Sequence, residues 1–276
     1  MPLDIPSVFG TVHRNAAMLE PCSVMRFSPE LRLKYALVWF SVVTPVDAYS
    51  IDKLDRNDLE AARDILAAEQ NSFSSRINSA VLSFLDGKLE TGIAQVISVI
   101  ENERLRNEFV KAIIGDEPHP SEEKLYDLFA ELLSEYLPFD TISLGFNSNS
   151  LAINTLNELY RRRWSSEVEN ELTLIRSESY RSASIIADKL RSISGNIDKI
   201  TEITPLSNAG LGMLRDSVAR TVLEKSIDLY NAGVTEQESK IILSLLKQVA
   251  SIASGTPLKE RCKENYSSLL SNLNCL

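Results

Sequence analysis

SLAINTLNELYRRRWSSEVENELTLIRSESYRSASIIADKLRSISGNIDKITEIT, residues 150–204, contains no proline and a single glycine, Gly195. Apolar residues recur there at Val168, Leu172, Ile175, Ala183, Ile186, Leu190, Ile193, Ile197 and Ile200. The steps are mostly three and four, the mark of a long amphipathic helix with a narrow seam. Read as one helix, the stretch would extend about 82 Å. A compact domain of this chain's length has a radius of gyration near 19 Å and is roughly 48 Å across. Such a helix either breaks or projects, and a projecting apolar seam needs a covering partner.

Two features inside the stretch point to a break near Trp164–Ser165. Arg161, Arg162 and Arg163 precede Trp164, and cations suit the last turn of a helix, where the dipole is negative. Ser166-Glu167-Val168-Glu169 follows with a helix-start pattern. A helix over 167–203 would still be about 55 Å long. The seam also changes phase. Leu172 to Leu190 is two heptads plus four residues, a stutter that locally unwinds a supercoil, and Ser179 and Ser182 fall where apolar residues are expected. These favour a helix packed in a bundle over a dedicated two-stranded rod. Gly195 marks a kink or a close helix contact.

Outward from this stretch the chain reads as all-α. Hydrophobic content is 44%, charged 24% and aromatic only 7%, with ten glycines and ten prolines in 276 residues, a balance that favours helices over an all-β fold. Residues 1–27 carry three prolines and no clean period and read as an irregular arm. Ser28-Pro29-Glu30 opens a helix over 29–43, although its YALVWFSVV run (Tyr35–Val43) also suits a strand. Asp55 caps a longer helical region to about Asp86, which Asn71-Ser72 divides. A helix from Thr91 to Ile114 stops at Gly115. Ser121 opens another that ends before Pro138. Residues 138–149 alternate Ile142, Leu144 and Phe146 and read as an extended linker. After Thr204-Pro205 come a helix around 211–231, a capping box at Thr235–Glu238, and a last helix from Thr256-Pro257. The expected fold is a bundle of about eight helices organised around one long central helix, with at most one or two minor strands. The expected domains are 1–27, an acidic helical domain 28–149, and a helical domain 150–276 built on the long helix.

Residues 1–150 hold 13 Lys and Arg against 23 Asp and Glu, whereas 151–276 hold 16 against 15. The acidic first part disfavours phosphate backbones and anionic lipid. The longest apolar run is too short to span a bilayer, and no secretory signal opens the chain. Cys22, Cys262 and Cys275 form neither a disulfide framework nor a metal pair. A cytoplasmic protein is the default expectation.

No catalytic pattern emerges. The two histidines, His13 and His119, are far apart, against histidine-based metal sites and nucleophilic catalysis. Asp116, Glu117, His119, Glu122 and Glu123 read as a solvated loop and a helix's first turn. Asp52, Asp55 and Asp58 read as cap and first-turn acids rather than Mg²⁺ ligands. Gly210-Leu211-Gly212 lacks the strand and third glycine of a dinucleotide site. Tyr160-Arg161-Arg162-Arg163-Trp164 is the most distinctive motif, with guanidiniums and aromatics suited to an anionic partner. No metal, cofactor or small-molecule ligand is indicated. The expectation is a non-enzymatic interaction or assembly protein, binding a protein partner or itself through the seam or the Arg-Trp cluster. The alternatives are an all-α enzyme with a carboxylate- or serine-based site and a nucleic-acid-associated protein using Arg161–Arg163.

Overall fold

The computed structural model describes residues 5–7, 10–12, 28–69, 71–147, 149–177, 182–204 and 208–274. His13, Cys22, Ser179 and Cys275 lie outside the described residues. Thirteen helices occur among the described residues, with one antiparallel hairpin of β1 (Ile5–Ser7) and β2 (Gly10–Val12), Ile5 opposite Val12. The chain divides into two compact units, Met1–Leu159 and Tyr160–Leu276.

Unit 1 contains α1 (Pro29–Ala36), α2 (Pro45–Asp55), α3 (Leu59–Ala68), α4 (Phe73–Leu85), α5 (Leu89–Glu101), α6 (Glu103–Ile114), α7 (Glu122–Ser134) and α8 (Phe139–Phe146). Its centre is α5, which packs against α4, α6, α7 and α8. Gly92, Ile93, Val96, Ile97, Val99 and Ile100 are all buried, as expected of a helix that is apolar on most sides. Asn102 ends α5 and caps α6, its side chain accepting from the Leu105 N–H. The single helix expected over Thr91–Ile114 is therefore two, because Asn102 offers the backbone a local bond that competes with helix continuation.

Two further expectations for this unit are corrected. Asp55 is the last residue of α2 and Asp58 caps α3, accepting from the Ala61 N–H. Residues 139–146 are helical, not extended. Ile142 and Phe146, one helical turn apart, are buried while Leu144 is exposed, and Phe146 stacks on Phe129 at 5.7 Å.

The single long central helix is not what forms. Helix α9 (Ser150–Arg176) runs unbroken through Trp164–Ser165, and α10 (Ala183–Ile203) follows Ser182 as its N-cap. The first of the two helices ends at Arg176, beside the seam serines and the stutter. The phase change thus falls between two helices rather than within one. At 27 and 21 residues they span about 40 and 31 Å, so neither outgrows a domain. Buried apolar residues of α9 step by four from Ala152 through Leu156, Tyr160, Trp164 and Val168 to Leu172, and Ile175 follows after a step of three. Each step of four overshoots a full turn by about 40°, so the buried stripe up to Leu172 winds roughly 200° around the helix. Those of α10, from Ala183 to Ile200, alternate steps of three and four.

Unit 2 packs α10 with α11 (Ala209–Asn231), α12 (Glu236–Ile252) and α13 (Thr256–Asn274). Helix α12 touches α10, α11 and α13. The Thr235–Glu238 capping box forms as expected. Asp216 on α11 accepts from the Ser254 and Gly255 N–H groups at 2.6 and 3.0 Å, bonding the start of α13 with a charge favoured there.

Candidate functional site

The YALVWFSVV run decides the surface of unit 1. Helix α1 stops at Ala36, well short of the Val43 expected, and residues 40–43 are non-helical. Leu37 is buried, and Phe40 packs against Leu54, Ala62, Leu66 and Leu82. Ser41 is held at both backbone groups by one side chain. Its N–H donates to Asn78 Oδ1 and its C=O accepts from Asn78 Nδ2, each at 2.8 Å. Both groups of one residue reach the same amide only when that residue is extended, as in a strand pair.

The next residues are fixed as firmly. Thr44 and Asp47 form a capping box at the start of α2. Asp47 is fully buried. Its Oδ2 accepts from the N–H groups of Val43 and Thr44 and from the hydroxyls of Thr44 and Ser74. Its Oδ1 accepts from Ser75 Oγ and Asn78 Nδ2. Because Ser74 gives its proton to Asp47, the Ser72–Ser74 hydroxyl contact at 2.7 Å has Ser72 as donor. Such a network compensates the cost of burying the carboxylate and ties residues 41–47 to α4.

On and beside this fixed segment stand large apolar side chains that face solvent. Trp39 is 65% exposed, Val42 61%, Val43 52% and Tyr49 54%. Val43 and Phe73 border a groove of about 460 Å³, together with Glu69, Asn71, Glu108 and Lys111. Glu108 pairs with Arg104 at 2.8 Å, Asp52 with Arg56 at 3.0 Å, and Lys53 lies 5.1 Å from the centre of the Tyr49 ring.

The residues singled out by sequence lie elsewhere. All nine seam residues, Val168, Leu172, Ile175, Ala183, Ile186, Leu190, Ile193, Ile197 and Ile200, are exposed by 3% or less. All but Ile200 belong to one core cluster with Val218, Val222, Leu245, Val249 and other residues of α11–α13. The premise of an exposed seam fails, since the chain's own helices cover it. The Arg-Trp motif is divided by helix geometry. Tyr160 and Trp164, four residues apart, are buried with their rings 5.2 Å apart, and Lys199 Nζ lies 5.6 Å from the Trp164 ring. Burial raises the Tyr160 pKa above its ordinary value, opposed by Arg163. Neither ring is an open stacking platform. Arg162 and Arg163 are exposed, and Arg163 pairs with Glu167 at 3.5 Å.

A second cavity, about 380 Å³, lies within unit 2, where Arg161, Ser165, Glu169, Thr204, Gly210 and Ser217 contribute to its wall. In the acidic loop, Glu117 pairs with Arg32 at 2.6 Å and Glu122 with Arg106 at 2.7 Å. Among the described residues no cluster of three or more His, Cys, Asp or Glu is placed to hold a metal ion, and no helix is long and apolar enough to cross a membrane.

The exposed segment was partly legible. Thr44-Pro45-Val46-Asp47 carries the features of a helix start, with a hydroxyl N-cap, proline at the first helical position and an acid two residues on. That start forces the preceding apolar run to end in a non-helical connection. Together these features define an all-helical protein of two units with an apolar surface on the first. No protein-family model, curated protein or solved structure matches the chain.

Proposed function

We propose that this chain is a non-enzymatic helical interaction protein that docks a partner protein on residues 39–49 of unit 1. The observation that supports this most is Trp39, a large aromatic side chain facing solvent two residues before a segment that buried hydrogen bonds hold in place. Tryptophan is enriched among residues that dominate binding energy, and a surface fixed beforehand loses little freedom on binding. Val42, Val43 and Tyr49 extend the same apolar surface, which carries a cost in water unless something uses it.

The test is capture from the native cell with the full chain as bait, compared with Trp39→Ser/Val42→Ser and, as a control on unit 2, Met213→Ser. All three positions are more than half exposed, so folding should survive, as circular dichroism would verify. The expected result is a partner retained by wild type and Met213→Ser but depleted about tenfold or more by the double variant. Equal retention by all three baits would overturn the assignment of this surface.

A further inference from the structure

The backbone of the docking segment says what shape of partner it takes. The N–H of Ser41 and of Val43 and the C=O of Ser41 turn inward to Asn78 and Asp47, and in an extended chain, where these directions alternate, the N–H and C=O groups of Phe40 and Val42 turn the other way. Among the described residues, no bond takes up the backbone groups of Phe40 or Val42. An extended segment with one side satisfied and the other open is the edge of an unfinished sheet. Asn78 stands where an inner strand would be, and the open side is where an added strand would lie.

Charge narrows the partner further. Residues 39–69 hold seven carboxylates, Asp47 among them, against Lys53, Arg56 and Arg63, and unit 1 as a whole carries 24 acidic and 13 basic residues. Glu69 and Glu108 border the groove beside Val43, with Lys111 and the Glu108 partner Arg104 as the cations near it. The surrounding field favours a basic partner.

We propose that the Trp39–Val43 segment pairs, strand to strand, with an extended peptide of a partner protein, apolar at alternate positions and flanked by Lys or Arg. Main-chain bonds to Phe40 and Val42 would supply affinity, while Trp39 and the groove beside Val43, on one face of the extended segment, would receive the alternate side chains. This inference rests on the docking surface proposed above and goes beyond it by fixing the partner's conformation and charge.

Four fluorescent probes separate these claims in anisotropy titrations against the full-length chain. They are an extended Val-Thr repeat with Lys-Lys at each end, the same peptide N-methylated at alternate residues, its Glu-Glu counterpart, and a helical Leu-Lys amphipath. The first should bind, and binding should weaken about tenfold on N-methylation of the pairing edge. It should also weaken in Trp39→Ser/Val42→Ser and in Val42→Pro, which removes an outward N–H while keeping Ser41 in its extended range. Equal binding of the N-methylated peptide, preference for the Glu-Glu peptide, or no binding of the Lys-flanked one would each overturn the proposal. Trp39-dependent binding of the helical probe alone would also overturn it but leave the docking surface standing. If none of the probes binds in a Trp39-dependent way, the extended partner is rejected and the cell-capture comparison decides the surface separately.

Discussion

Asp47 is the residue on which the surface of unit 1 depends. Six donors converge on a carboxylate with no solvent access. Truncating it would strand those donors, and the expected cost of Asp47→Ala is about 3–5 kcal/mol. Urea unfolding of the variant checks this, and a loss below ~1 kcal/mol would show the network to be dispensable. Lys34 gives a pH-dependent counterpart. Burial alone would lower its pKa, but the bond and charge of Glu135 at 2.8 Å, with Glu131 and Tyr35, outweigh it and hold the pKa above the ordinary 10.5. A raised folded pKa means the contribution is complete below 10.5 and lost as the pH climbs through the folded value. Wild type should therefore lose more stability than Lys34→Met across that alkaline range, measured as the difference in urea midpoints. At Cys262, burial pushes the thiol pKa up, against the smaller opposing effect of Arg261. In a Cys22→Ser/Cys275→Ser background Cys262 should resist alkylation until the chain unfolds. Its position in line with Leu258, Tyr266 and Leu269 made this burial legible. Asp47 was less so, because its partners Ser74, Ser75 and Asn78 are far along the chain and no local pattern announces them.

At the scale of elements, glycines separate close packing from mere tolerance. A Cβ on Gly145 of α8 would lie 2.6 Å from Ile93 Cβ on α5, and one on Gly92 would lie 2.5 Å from the Phe84 ring of α4. The α5–α8 approach therefore depends on a missing side chain, and Ile93 cannot yield at its Cβ without moving the helix. Gly145→Ala should cost about 1–3 kcal/mol. Gly195 is the opposite case. It is exposed in α10, and nothing lies within 4 Å of where an alanine Cβ would sit, so it is not a close helix contact. Gly195→Ala should stabilise by up to ~1 kcal/mol through helix propensity alone. Thermal melts of the two variants should move in opposite directions. The helix starts after Ser28, Ser121 and Thr235 were readable, because these residues cap by local bonds. The break after Arg176 and the helix at 139–146 were not. Arg161–Arg163 imitate a helix end that tertiary packing overrides, and the Ile142-Leu144-Phe146 alternation conceals a one-turn spacing that becomes visible only through the packing of Phe146 on Phe129.

For the whole molecule, the sequence made the helical class and the acidic bias of the first part plain, but not which apolar residues stay outside. A regular seam such as Ala183–Ile200 is what a bundle buries, so periodicity marked the core of unit 2 rather than a surface. Trp39, Val42 and Val43 belong to an aperiodic run, and their exposure follows from the clamp on Ser41 and the cap at Thr44. The most direct test of the docking surface places a photo-reactive benzoylphenylalanine at Trp39, or at the equally open Met213 of unit 2, and irradiates the native cell. A discrete adduct of the chain with another protein is expected from position 39 and none from position 213. No adduct from position 39, or the same adducts from both positions, would contradict it.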